Sequence, residues 1–186
     1  MIDVPNNSVL VIFCKRPRVG TGKQRVAAEL GAPAALQLSC LLLDAVLEDA
    51  SDWPGQVVIA PADPDDSEWA QSLLAKASVI PQQGGNLGER LNHVDRQLRN
   101  AGAQKIIFVG TDAPGLNGRM LVQAERMLSE HDAVIIPAAD GGVTLLGSRE
   151  PWPPLGEPWA ESGQICGIHW RRLPGRLLLV SGAPGP

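Results

Sequence analysis

Residues Val9–Cys14 read Val-Leu-Val-Ile-Phe-Cys, apolar at every position. A strand with one wet face alternates apolar and polar side chains. A strand with no polar position must be covered on both faces, and such strands belong mainly to parallel sheets flanked by helices. Val57–Ala60, Lys105–Gly110, Ala133–Pro137, Val143–Gly147 and Leu177–Val180 repeat the signal.

Helical patterns lie between these runs. Leu87, Leu91, Val94 and Leu98 recur at the spacing of one helix face. Ala34–Ala50 is apolar over a wide arc and predicts a second helix. Asn117 is placed to cap a third, over about Gly118–Glu130, with Leu116 stapling its start. Pro61–Asp66 reads as an acidic turn, and Glu150–Pro158, rich in proline, as an irregular excursion. The alternation predicts an α/β fold with an open, mostly parallel sheet and helices on both faces. At 186 residues the chain suits one domain with a full core.

Several function classes are disfavoured. A net charge of −4 argues against coating nucleic acid, which needs clustered cations. The three cysteines, Cys14, Cys40 and Cys166, form no CxxC pair, so they read as free thiols of a reducing compartment. The apolar run at the N-terminus is too short for a signal peptide or a membrane span and lacks a basic flank. The expectation is a cytoplasmic protein. His93, His131 and His169 show no metal-ligand spacing. Trp152, Trp159 and Trp170 suit core and loop packing or an acceptor-stacking lid.

Ligands of open α/β sheets bind beyond the carboxyl ends of the strands. Cys14–Arg25 follows the first strand and packs five cations and two glycines into twelve residues. It is neither a Walker A loop nor a dinucleotide loop, since Pro17 and Gln24 stand at the diagnostic positions. It is either a solvated basic loop or a phosphate cradle using Gly20, Gly22, Lys15, Lys23 and Arg25. Asp112 ends the strand Lys105–Val109; it either caps its own turn or holds a divalent ion. Asp140-Gly141-Gly142 is a tight turn or a glycine floor for an acceptor. Gln82–Arg90, with Gly85 and Arg90, is a simple helix start or a contact for a base edge or an anion.

Four motifs stand in order along the chain. They are Lys-x-Pro-x-x-Gly-x-x-Lys-x-Arg (Lys15–Arg25), Gln-x-x-Gly-Asn-Leu-Gly-x-Arg (Gln82–Arg90), Gly-Thr-Asp-x-Pro-x-Leu (Gly110–Leu116) and Pro-x-x-Asp-Gly-Gly-x-x-Leu-x-Gly (Pro137–Gly147). Together, over about residues 8–150, they resemble the bacterial glycosyltransferase-A-like family labelled "transferase 1, rSAM/selenodomain-associated". That family belongs to the nucleotide-diphospho-sugar transferase superfamily and is related to the phospholactate guanylyltransferases.

The resemblance implies a three-layer α/β/α sandwich, nucleotide at the first-strand loop and Mg²⁺ or Mn²⁺ near Asp112. The expected activity is nucleotidyl or glycosyl transfer from an NTP or NDP-sugar to a small acceptor. Lys23, Asp112 and Asp140 are the expected catalytic residues. Lys15, Gly20, Gly22, Lys23, Arg25, Gly85, Arg90, Gly141 and Gly142 are expected to bind the ligands. The chain departs from the family pattern at Gln24, at Val143, and in having no Asp after Asp140 where the family carries a distal acidic segment. Asp140, Glu157 and Glu161 are then the available partners for Asp112. A catalytically degenerate binding or scaffold protein is the rival expectation.

Overall fold

The computed structural model of the chain describes residues 7–138, 143–155 and 177–179. Among these, the elements are β1 (Ser8–Cys14), α1 (Gln24–Leu30), α2 (Ala32–Ser51), β2 (Gln56–Pro61), α3 (Ser67–Leu73), β3 (Ser78–Val79), α4 (Leu87–Asn100), β4 (Lys105–Gly110), α5 (Gly118–Met127), β5 (Ala133–Pro137), β6 (Val143–Ser148) and β7 (Leu177–Leu179). A 3-10 turn, Pro64–Asp66, precedes α3.

The seven strands form one sheet in the order β3-β2-β1-β4-β6-β5-β7. β1 lies parallel between β2 and β4, with Leu10 opposite both Val57 and Ile107. β3 and β7 also pair in parallel. β6 alone runs backwards, antiparallel to both β4 and β5. The connection over 138–142 explains this reversal. A parallel crossover needs a dozen or more residues, whereas a hairpin needs only a few.

Strand alternation sorts the core into two layers. Leu10, Ile12, Ile59, Ile107 and Val109 pack with Leu43 and Val46 of α2 and Leu121 of α5. Val9, Val11, Val58, Ile106 and Phe108 pack on the opposite face with Leu91, Val94 and Leu98 of α4. The all-apolar run of β1 is therefore covered on both sides, and the three-layer sandwich follows. Each such Leu, Ile or Val contributes about 1.5–3 kcal/mol when fully buried. No helix among the described residues is long and apolar enough to cross a membrane.

The expected helices are present with small shifts of boundary. α5 stops at Met127, not Glu130. Its first turn is capped twice: Asn117 accepts from the Met120 amide, and Asp49 of α2 accepts from the Gly118 amide at 2.8 Å. α1, α3 and β3 fall outside the runs named from the sequence. α1 buries no residue, so it carries no apolar stripe to betray it.

The segment after β6 is docked on α4. Asn92 donates to the carbonyls of Trp152 and Pro153 and accepts from the Leu155 amide. Trp152 itself is buried against this helix, which makes it a packing residue. Arg99 donates to the carbonyls of Gln104, Ser148, Arg149 and Glu150 and pairs with buried Asp95. Burial pushes the Asp95 carboxyl above its ordinary range, and the Arg99 guanidinium opposes that rise.

Candidate active site

β1 and β4 end side by side, and their following loops form the walls of a crevice of about 500 Å³. Lys15, Gly22 and Lys23 line it from the first loop, Thr111 and Asp112 from the loop after β4, Gln82 from the segment after β3, and Arg90 from the first turn of α4. This is the position that the strand-end rule assigns to a ligand.

The first loop turns on glycines. Gly20 and Gly22 have φ of +79° and +70°, where a Cβ is strained, and Lys23 follows at +47°. Thr21 closes the turn with its amide and hydroxyl on the Arg18 carbonyl, and Gln24 donates to the Gly20 carbonyl. The Lys23 ammonium lies 2.8 Å from Asp112 Oδ1. Two sequence-predicted residues, 89 positions apart, thus meet in one contact. The Asp112 side chain is 77% exposed, so the pair adds at most about 1 kcal/mol to stability. Its value lies in placing a cation at a solvent-facing carboxylate.

The five cations of this loop do not share one fate. Arg16 and Arg18 both reach Asp66 Oδ1, at 3.5 and 2.5 Å, and the Asp66 side chain is almost completely buried. Arg16 also lies over the Trp69 ring, 5.7 Å from its centroid. These two arginines fasten the loop to the turn after β2. Lys15 and Lys23 remain on the crevice wall. Arg25 is exposed on α1 and does not line the crevice, nor do Gly20 and Gly85.

Asp66 was not expected from the sequence, where it stood in an acidic turn. Its signal was position: it follows a strand, on the same sheet edge as the basic loop. Cys14 sits beneath that loop. Burial, and then the Asp66 carboxylate, push its thiol up to about 12, which keeps it protonated and removes it as a nucleophile.

The start of α4 satisfies itself. Asn86 accepts from the Glu89 amide, and the Glu89 carboxylate accepts from the amides of Gly85 and Asn86, a complete capping box. Arg90 donates to the Gly85 carbonyl at 3.0 Å while facing the crevice. Gly88 touches the chain after β6: a Cβ there would lie 2.3 Å from the Leu155 carbonyl oxygen. Gln82 is buried and donates to the Ala60 carbonyl at 2.7 Å.

A second cavity, of about 210 Å³, opens on the other side of Asp112. A larger groove of about 1030 Å³ runs between α2 and α5, lined by Asp49, Trp53, Arg119 and Arg126. That groove includes neither the glycine loop nor Asp112, so the convergent chemistry lies elsewhere. Among the described residues no three acidic, histidine or cysteine side chains cluster as a metal site. Asp140, Gly141, Gly142, Glu157 and Glu161 lie outside the described residues, as do Trp159 and Trp170.

Comparison with known proteins agrees with this geometry. Residues 42–160 match the family described as "Uncharacterized protein conserved in bacteria (DUF2064)". A phosphoenolpyruvate guanylyltransferase from Chloroflexus aggregans is 30% identical over 147 residues, 73% of this chain and 70% of the relative. The crystal structure of a "putative nucleotide-diphospho-sugar transferase" from Desulfovibrio desulfuricans superposes with a TM-score of 0.82 at 26% identity, over 95% of this chain and 80% of that one. A 4-diphosphocytidyl-2C-methyl-D-erythritol synthase from Anaerococcus prevotii shares the fold at 10% identity and a TM-score of 0.56, over 96% and 90% of the two chains. The fold is that of the nucleotide-diphospho-sugar transferases, and the relationship is nucleotidyltransferase-like.

Proposed function

The chain belongs to the DUF2064 family, and from that footing we propose that it transfers a nucleotidyl group from a nucleoside triphosphate to a small acceptor. The observation that carries this reading is the meeting of Lys23 with Asp112 in a crevice that Lys15 also lines. The guanylyltransferase relative supports nucleotidyl over glycosyl transfer. In the reaction an acceptor oxygen attacks the α-phosphorus, the bond to the β-phosphate breaks, and pyrophosphate leaves.

Lys15, Lys23 and the Gly22 backbone hold the phosphates, with Arg90 adding positive charge from the crevice wall. Charge-assisted hydrogen bonds of this kind are the strong ones. Asp140 and the Gly141-Gly142 turn address the acceptor.

Asp112 suits Mg²⁺ or Mn²⁺ that arrives with the nucleotide. Its carboxylate stands at the strand mouth and is open to solvent, so a metal can reach it as the phosphates draw Lys23 away. Mg²⁺ typically takes one or two carboxylates and fills its remaining positions with phosphate oxygens and water. The metal would neutralise charge on the leaving pyrophosphate. Lys23 supplies part of the same neutralisation from the protein.

Calorimetry with GTP, other NTPs and UDP-glucose, each with Mg²⁺, tests the binding half. A folded sample that binds none of them at millimolar concentration sinks the reading. A pyrophosphate-release assay tests the chemistry, and Asp112→Asn should lower turnover by about 10²–10³-fold. Release of a nucleoside diphosphate from an NDP-sugar would indicate glycosyl transfer instead. Nucleotide binding that ignores Mg²⁺, with no turnover, would indicate a degenerate binding protein.

A further inference from the structure

We infer that Arg16 is a further contact for the nucleotide's phosphates, free to turn to them because Arg18 alone keeps the Asp66 carboxylate paired. The inference deepens the transferase reading above and rests on it for the identity of the ligand. Arg16 stands at an open position of the Lys-x-Pro-x-x-Gly-x-x-Lys-x-Arg pattern, so the family resemblance assigns it no role.

Arg16 and Arg18 look equivalent in the sequence, two positions apart on one loop. Both reach the same oxygen, Asp66 Oδ1, yet they hold it unequally. The Arg18 guanidinium lies 2.5 Å away, a full charge-assisted contact. The Arg16 guanidinium lies 3.5 Å away, at the outer edge of hydrogen-bond range. Their places in the fold differ too. Lys15, Arg16 and Pro17 line the crevice, whereas Arg18 and Asp66 do not.

Asp66 decides which arginine can move. Its side chain is almost fully buried, and a buried carboxylate stripped of its cation is strongly destabilising. Moving Arg18 would leave Asp66 with the 3.5 Å contact alone. Moving Arg16 leaves the shorter contact in place, so no buried charge is stranded. The other tie of Arg16 is to the Trp69 ring, 5.7 Å from the centroid, near the limit of about 6 Å for a cation over an aromatic face. A triphosphate offers several charged oxygens in exchange, and a planar guanidinium can grip two of them at once. Arg16 thus joins Lys15, Lys23 and Arg90 as a cation of the crevice wall. Asp66 touches no ligand and acts as a positioning residue: it fastens the loop through Arg18 and keeps Arg16 beside the crevice.

Fluorine NMR and calorimetry on the full chain test this. The five tryptophans are replaced by 5-fluorotryptophan, and Trp69→Phe identifies the Trp69 resonance. Inorganic tripolyphosphate and Mg-GTP are titrated separately. The expected result is a Trp69 resonance that moves as either ligand saturates, toward the position it holds in ligand-free Arg16→Ala. Arg16→Ala should also weaken both ligands by about 10-fold. Arg16→Lys, which keeps the charge without the two-point grip, should recover only part of that loss. Saturation of the unsubstituted chain with Trp69 unmoved overturns the inference, even if Arg16→Ala fails to fold. So does an Arg16→Ala chain with a lowered melting midpoint and unchanged affinity, the mark of an arginine that only holds the loop. The two readings fail separately. GTP that binds and turns over without Arg16 keeps the transferase and loses this contact. Tripolyphosphate that binds through Arg16, with no pyrophosphate released from any NTP, keeps the contact and loses the transferase.

Discussion

The Gly20–Lys23 turn and the Gly84–Arg90 start of α4 are both glycine-rich, both carry cations, and both border the same crevice. They dispose of their polar groups in opposite ways. At α4 the Gly85 and Asn86 amides go to Glu89, the Glu89 amide goes to Asn86, and the Gly85 carbonyl goes to Arg90. In the first loop Lys15 has no protein partner among the described residues, and Lys23 holds only an exposed carboxylate. Every backbone polar group must go somewhere. Where the protein satisfies it, the motif is architecture. Where a cation is left facing solvent or an exposed carboxylate, the motif is open to a ligand.

Substitutions can break or sharpen this contrast. The largest expected effect is on binding: Lys23→Ala should weaken Mg-GTP affinity by about 10–100-fold while leaving the thermal midpoint almost unchanged. Calorimetry and a melt on the same sample check both halves, and a fall in midpoint with intact affinity would reverse the assignment. Next comes Gly88→Ala, which drives a methyl against the Leu155 carbonyl. It should cost about 1–3 kcal/mol in urea unfolding and leave nucleotide affinity unchanged under conditions where the variant is folded.

Asn86→Ala removes the cap of α4 and should cost about 1 kcal/mol by the same assay, again without loss of affinity. The last test involves no substitution and concerns the floor of the open loop. Iodoacetamide at pH 8 should modify exposed Cys40 and spare buried Cys14, whose thiol titrates near 12. Since only the thiolate reacts, Cys14 alkylation by mass spectrometry should lag at least about 100-fold. Equal modification would mean the loop is frayed, not merely open.

The layers and the crevice were largely legible because they follow from short-range pattern. β4 falls on the expected Lys105–Gly110 run, and α4 follows its apolar stripe. The strand-end rule alone brought Lys23 and Asp112 to one edge. What stayed hidden depends on contacts between distant positions. Asp66 looked like one more acid in a surface turn, because its partners Arg16 and Arg18 lie 50 and 48 residues away. Gly88 lay in a segment that read equally as a helix start or a ligand contact, because Leu155 is far along the chain. The reversed direction of β6 leaves no mark on an apolar run; only the shortness of the link before it carries that information. α1 was missed because a helix that buries nothing needs no periodicity.

The Arg99 guanidinium has a consequence for how the molecule can be cut. Its carbonyl partners come from Ala103 and Gln104 before β4 and from Ser148, Arg149 and Glu150 at the end of β6 and just beyond, up to 51 positions away. No contiguous piece that ends before residue 148 can supply that set. A fragment stopped there would retain α4 with a guanidinium left only Asp95 and the Ala103 and Gln104 carbonyls, and a buried Asp95 deprived of its docked neighbour Trp152. Removing the end of β6 therefore does more than shorten the sheet. It takes from Arg99 the three carbonyls that tie α4 to the chain end of β6, so the halves of this fold are poor candidates for separate expression or for a split reporter.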